Sequence, residues 1–132
     1  MDNMNNIESN TWVVAKNGDI LMRFNKLPDE ALTEFPFRMG IAIPVTITVE
    51  TNVEMQKIED MIESLIGANG ALVAVVTSPD FKEFVLYVKE GLDYKKIHED
   101  IKSSSPNYDI QMYVEKDPNR TFFKDTKASI KQ

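Results

Sequence analysis

A helix followed by two strands between residues 51 and 88 constrains the fold of this chain more than any other segment. Residues 53–66 carry apolar side chains at the spacing of an amphipathic helix. Two apolar segments, residues 71–77 and 82–88, follow a break at Gly67 to Gly70 and a turn at residues 78–80. Each element has an apolar face to bury, so together they predict the centre of a small α+β sandwich. The helix stripe consists of Met55, Ile58, Met61, Ile62, Leu65 and Ile66.

The segments on either side extend this unit. Residues 37–49 are β-prone but broken at Pro44, which has no amide hydrogen for a sheet, so residues 45–49 either project past the sheet or pair elsewhere. Thr51 and Glu54 have the spacing of a capping box at the start of the first helix. A second helix is predicted after Asp93, and residues 108–114 alternate like a strand with one buried face.

A hairpin is predicted before this core. Residues 11–16 and 19–24 flank the pair Asn17-Gly18, which favours a type I′ turn. The order is then β-β followed by β-α-β-β-α-β, the ferredoxin-like pattern of the α+β class, with both helices on one face of an antiparallel sheet. The other face has to be covered by the hairpin, by the C-terminal segment or by a second molecule. We expect a disordered tail at residues 1–10, one domain at residues 11–125 and a frayed tail at residues 126–132.

Composition limits the classes of function. The 132 residues suffice for one hydrophobic core, and no apolar run approaches the ~20 residues that span a membrane. The polar first ten residues do not resemble a secretory signal, and the absence of cysteine fits a reducing compartment, so we expect a cytoplasmic protein. A net charge of -6 disfavours nucleic acids and anionic membranes as partners.

Few residues point to catalysis, and no metal or cofactor is predicted. His98 is the single histidine, and no cysteine is present to complete a metal site with it. Glu59 borders the apolar stripe of the first helix four residues before Glu63, where burial could make it a general acid or base; a solvated helix flank is the alternative. Glu83 stands in an apolar strand, either beside Tyr87 on one face or as an edge charge that prevents aggregation.

Several short motifs lie along the chain: Trp12, Ile58-Glu59-Asp60, Val75-Val76-Thr77, Lys82 to Tyr87, and Asp117-Pro118 with Phe122-Phe123. Together they resemble the bacterial domain-of-unknown-function family numbered 695, over about residues 11–125. That family is similar in fold to the regulator of ribonuclease activity B, an acidic protein that acts by binding another protein, and the resemblance implies an interaction role. The chain differs from the usual pattern at Val85-Leu86, where aromatic residues are frequent, and at residues 119–121, where a tryptophan often follows.

The leading hypothesis is a non-enzymatic domain that binds a protein partner, or itself as a homodimer, through the sheet face that the helices leave uncovered. Trp12, Ile20, Met22 and Phe24 are predicted to form or guard that surface. A small-molecule sensor with a pocket lined by Trp12, Phe84 and Tyr87 is the alternative, and a hydrolase using Glu59 or Glu83 is a third hypothesis. The candidate binding residues are Trp12, Phe24, Glu59, Glu83, Phe84 and Tyr87.

Overall fold

The computed structural model describes residues 11–130, which form one six-stranded antiparallel sheet with helices on both faces. The strands are β1 (Trp12–Asn17), β2 (Ile20–Asn25), β3 (Phe37–Pro44), β4 (Gly70–Thr77), β5 (Phe81–Val88) and β6 (Gln111–Lys116). The α-helices are α1 (Val49–Ile66), α2 (Tyr94–Ser104) and α3 (Thr121–Ser129), and short 3-10 helices span Asp29–Leu32 and Gly67–Asn69. The expected tail at residues 1–10 lies outside the described residues, as do residues 131 and 132.

The strand order across the sheet is β1-β2-β4-β5-β3-β6. The last four strands in this order, joined as β3-α1-β4-β5-α2-β6, have the ferredoxin-like arrangement, and the hairpin β1-β2 extends the sheet beyond β4. The predicted fold class is therefore confirmed. An isolated two-stranded hairpin is only marginally stable. Here the hairpin is part of the larger sheet, because β2 pairs with β4 over four residues.

The first face of the sheet carries the larger core. Helices α1 and α2 pack their apolar stripes on it, and Ile58, Ile62 and Ile101 are buried against Ile41 and Leu86 from the central strands. Successive strand residues point to opposite faces, so the neighbours of these strand residues contribute to the other side.

The second face is covered by α3 and by the loop between β2 and β3. Phe123 of α3 is buried there, stacked 5.4 Å from Phe24 between ring centroids and edge-on to Tyr87, and Leu32 of the loop completes the cluster. The sequence predicts a frayed tail from residue 126, but α3 continues to Ser129. Lys127 anchors it by donating to the backbone oxygen of Leu27 at 2.7 Å.

Two local predictions differ from the structure at element boundaries. The N-cap of α1 is Thr48 instead of Thr51: the Thr48 hydroxyl accepts from the Thr51 amide, and the Thr51 hydroxyl accepts from the Thr48 amide. Helix α1 therefore begins at Val49, directly after the segment that follows Pro44. That segment pairs with the turn before β5, through Val45 and Ile47 amides bonded to the oxygens of Asp80 and Pro79.

The hairpin turn and the last strand are also displaced from their predicted positions. The turn residues are Gly18 and Asp19, because Asn17 pairs with Ile20. Only Gly18 has a positive φ (63°), which is the pattern of a type II′ turn and not of type I′. Strand β6 starts at Gln111, where pairing with β3 begins, so the predicted start at Tyr108 lies in the connection from α2.

Candidate functional site

A partly buried ion pair joins α1 to the hairpin. Glu59 lies on the third turn of α1 and is 6% exposed, because the stripe that buries Ile58 and Ile62 also turns this carboxylate toward the sheet. Arg23 of β2 reaches it from the same face, with 2.6 Å between Nη2 and Oε1. Of the two alternatives for Glu59, a buried carboxylate and a solvated helix flank, the structure has the buried one, and the carboxylate is the partner of an arginine.

A second cation, Lys82, lies beside this pair. It is the second residue of β5 and is only 8% exposed. Its Nζ donates to Thr77 Oγ1 at 2.8 Å and to Asn52 Oδ1 at 3.4 Å, and both partners are neutral. Within residues 11–130, no carboxylate lies within 4.0 Å of this ammonium group. Burial lowers the pKa of Lys82, the attraction of Glu59 opposes that effect, and the charge of Arg23 adds to it.

These side chains surround a cavity of about 290 Å³ between α1 and strands β2, β4 and β5, here called the charged cavity. Two cations and one carboxylate line it, so its local charge is positive in a chain whose net charge is -6. Neutral donors and acceptors lie around the charges. The lining residues are Leu21, Arg23, Ile47, Asn52, Gln56, Glu59, Val75, Thr77 and Lys82.

Trp12 is coupled to the charged cavity through Arg23, whose guanidinium carbon lies 5.0 Å from the centre of the indole ring. On its other side, Trp12 lines a separate cavity of about 310 Å³ that also contains Glu63. Burial raises the pKa of Glu63, with repulsion from Glu59 and Asp60 adding to the shift and Arg23 opposing it. The two candidate residues Trp12 and Glu59 therefore belong to one neighbourhood, with Arg23 between them.

The other predicted site residues lie elsewhere. Phe84 is buried beneath the helices of the first face, whereas Tyr87, three residues along the same strand, faces the opposite side. Because Phe84 and Tyr87 lie on opposite faces of the sheet, they cannot line one pocket together with Trp12, which packs on the first face. The reason is the two-residue period of a strand. Phe24 is fully buried on the second face and offers no open surface.

Tyr87 has a clear structural role in attaching α3. Its hydroxyl donates to Asp117 Oδ2 at 2.6 Å and accepts from the Phe123 amide at 3.1 Å. Asp117 in turn accepts from the amides of Thr121 and Phe122 at the start of α3. Burial, followed by the bond to Asp117, raises the pKa of the Tyr87 hydroxyl. The Asp-Pro motif and the two phenylalanines thus dock the last helix on the sheet.

Glu83 also lies on the second face, where it accepts a hydrogen bond of 2.7 Å from the Tyr113 hydroxyl. The Tyr113 ring crosses Gly40, and a Cβ at Gly40 would lie 2.0 Å from the ring. A side chain at position 40 would displace the ring, so glycine lets tyrosine and glutamate meet across β3. Burial, then the bond to Glu83, raises the pKa of Tyr113.

Strand β1 forms an open edge of the sheet. Within residues 11–130 it pairs with β2 alone. Apolar side chains are exposed around it: Val14 is 62% exposed, Ile20 42% and Leu21 41%. A groove of about 580 Å³ lies between the hairpin and the end of α3, and Met22 and Ile130 are part of its lining. We call β1 with these exposed side chains the hairpin edge.

Sequence reasoning missed Arg23 and Lys82, although both carry a recognisable signal. Arg23 interrupts the apolar residues Met22 and Phe24, and Lys82 stands two residues before Phe84 on the same face of β5. A cation at an inward position of a strand indicates a buried partner. His98, by contrast, is a satisfied side chain, with its Nε2 2.6 Å from the Ile110 oxygen.

The described residues contain neither a membrane-spanning helix nor a metal-binding cluster. No helix in the described part of the chain has the length and apolar character to cross a membrane. No cluster of three or more histidine, aspartate or glutamate side chains suited to a metal ion was found within residues 11–130.

Comparison with known proteins gave one match. Residues 48–126, more than half of the chain, match the family described as "Family of unknown function (DUF695)". No curated protein and no solved structure matched the chain. The matched region runs from the N-cap of α1 into α3, and so includes Glu59, Lys82, Tyr87 and Asp117 but not the hairpin.

Proposed function

The chain belongs to this family of unknown function, and from that premise we propose that it is a non-enzymatic interaction module that binds a second copy of itself through the hairpin edge. The observation that carries the proposal is the open backbone of β1, flanked by exposed apolar side chains. An unpaired edge strand is a template for pairing with another chain. The absence of cysteine fits work in a reducing compartment such as the cytoplasm.

The backbone of β1 has hydrogen-bonding groups directed outward at alternate residues. The Lys26 amide bonds the Thr11 oxygen, and Asn17 pairs with Ile20 beside the turn. Because bonded positions alternate in an antiparallel pair, the odd-numbered residues of β1 bond to β2. Trp12, Val14 and Lys16 therefore direct their amides and oxygens away from the sheet, toward an added strand.

Symmetry then selects one register. Antiparallel edge-to-edge pairing of two copies requires a twofold axis perpendicular to the sheet, which keeps the α1 side of one copy beside the α1 side of the other. Two residues that lie opposite each other across the paired β1 strands must point to the same side of the sheet. This holds only if the axis passes through a residue position, so that one residue of β1 faces the same residue of the second copy. Centring the axis on Val14 pairs all three outward-directed residues of β1, Val14 with its own copy and Trp12 with Lys16. Centring it on Ala15 would leave Trp12 outside the strand pair.

Charge is compatible with this register. Lys16 is the single charged residue of β1. In the register centred on Val14 it faces Trp12 of the second copy, so the two lysines do not oppose each other, and a cation–π contact becomes available. A stable interface buries roughly 1,200–2,000 Å². The exposed side chains of Ile20 and Leu21 and the groove beside α3 would supply the area that a strand pair alone lacks.

The test is the solution mass by light scattering over a wide protein concentration range. We expect a concentration-dependent dimer that Val14→Asp dissociates while the circular dichroism spectrum stays unchanged. Val53→Asp is the matched control, because Val53 is similarly exposed (54%) but lies on α1. A monomer at every concentration would overturn the proposal, as would equal dissociation by both variants. Phe24→Asp is unsuitable, since it would place a charge in the core of the second face.

A further inference from the structure

We infer that the charged cavity binds a small, singly charged oxyanion, of the carboxylate or phosphate class, between Lys82 and Arg23. This inference is independent of self-association at the hairpin edge. It starts from Lys82, a buried ammonium group whose described partners at hydrogen-bonding distance are both uncharged. Desolvating an ammonium ion costs several kcal/mol unless a countercharge accompanies it.

Glu59 does not supply that countercharge fully. Its Oε1 is bonded to Arg23 at 2.6 Å, and its distance from the Lys82 ammonium group exceeds 4.0 Å. Two cations therefore share one carboxylate, with Lys82 only 8% exposed and the Arg23 side chain 35% exposed. One additional negative charge would balance the cavity, whereas a doubly charged ligand would be repelled by Glu59 and by Glu63 on the next turn of α1.

The polar groups around the cavity suit an oxyanion. Thr77 Oγ1 accepts from Lys82, which leaves its hydroxyl hydrogen free to donate, and Asn52 accepts through Oδ1, which leaves its amide nitrogen as a donor. Arg23 uses Nη2 for Glu59 and has further N–H groups. The volume of about 290 Å³ is at the small end of ligand sites, which fits an anion of a few heavy atoms.

The chain contains its own reporter for this site. Trp12 is its single tryptophan, and its ring lies against Arg23. An anion that engages the Arg23 guanidinium would change the environment of the indole. Titration with sodium acetate, or with sodium phosphate at a pH low enough that phosphate carries a single charge, should therefore change tryptophan fluorescence in a saturable way when sodium chloride holds the ionic strength constant. A response to acetate alone identifies a carboxylate site, and a response to phosphate alone identifies a phosphate site.

Two variants test the role of Lys82. Lys82→Met should weaken anion binding by at least about tenfold, since a hydrogen bond to a charged group is lost. It should also raise the midpoint of thermal unfolding without anion, because a buried unpaired charge is replaced by an apolar chain of similar length. Asn52→Asp places a carboxylate beside Lys82 Nζ and should likewise remove the anion response. Lys95→Met, which removes the same charge from the exposed side of α2, should bind like the wild type.

Several results would overturn the inference. The first is the absence of a saturable response to acetate or phosphate. The second is an equal response in a separate titration with sodium chloride alone. The third is an unchanged response in Lys82→Met and Asn52→Asp. A merely structural lysine would instead give a lower unfolding midpoint in Lys82→Met with anion affinity unaffected. The two readouts thus separate a ligand-binding lysine from one that only holds Thr77 and Asn52 in position.

Discussion

At the scale of single residues, one carboxylate can serve both a helix and the sheet. Asp117 illustrates this, because it caps α3 and bonds the sheet at the same time. Burial alone would raise its pKa. The hydrogen bonds from Tyr87, Thr121 and Phe122, helped by the charge of Arg38, outweigh burial and hold the pKa of Asp117 below its ordinary value of 3.8.

This shift predicts a specific pH dependence of stability. The unfolded chain binds a proton at Asp117 at a higher pH than the folded chain does. The stabilisation is therefore fully present above about pH 4 and is lost as the pH falls through the lower, folded pKa. We expect the free energy of unfolding of the wild type, from urea denaturation, to fall more steeply below pH 4 than that of Asp117→Asn. Asp125→Asn, on the exposed side of α3, should follow the wild type; parallel curves for all three proteins would contradict the prediction.

The residue scale is also where the sequence was least informative. Arg23 and Glu59 are 36 positions apart, and Lys82 joins them only after β2, β4 and β5 align. A strand pattern reveals that an inward cation is unusual, but it does not identify its partner. Glu59 could be identified from the sequence as a candidate site residue, because it borders the apolar stripe of α1. Its pairing with Arg23 could not, because that depends on the hairpin adding to β4.

At the scale of elements, α1 shows how far a helical stripe can be resolved from sequence. The spacing predicts that Ile62 and Leu65 are equally buried. In the structure Ile62 is fully buried, whereas Leu65 is half-buried at the margin of the core. The difference follows from a sheet covering only part of the helix circumference, which periodicity does not measure.

The two positions should therefore differ in energy. We expect Ile62→Ala to lower the free energy of unfolding by about 2–5 kcal/mol, the range for truncating a buried aliphatic residue. Leu65→Ala should cost clearly less, and the exposed control Val53→Ala should stay within about 0.5 kcal/mol. Chemical denaturation of the three variants measures these values. Equal losses at positions 62 and 65 would mean that α1 is rotated relative to the structure described here.

At the scale of the whole molecule, the order of strands and helices was predictable from sequence. The segment that covers the second face of the sheet was predictable only in part. Hydrophobic periods and turn residues define the β-α-β-β-α-β core without any long-range information. The hairpin, the C-terminal segment and a second molecule were the alternatives for covering the second face, and Phe123 shows that the C-terminal segment does so. Helix α3 covers part of the second face, so within the described residues the open backbone of the sheet lies at its two edge strands, β1 in the hairpin and β6 at the other side.

The most direct test of self-association through β1 uses the absence of cysteine in the chain. A single Val14→Cys substitution would place two thiols at the twofold axis, with Cα atoms about 5.5 Å apart, within the range that a disulfide bridges. Mild oxidation should convert this variant to a covalent dimer much faster than Val53→Cys, whose equally accessible thiol lies on α1. Rapid and selective crosslinking at position 14 is the predicted result. Equal, slow crosslinking of both variants would contradict pairing at the hairpin edge.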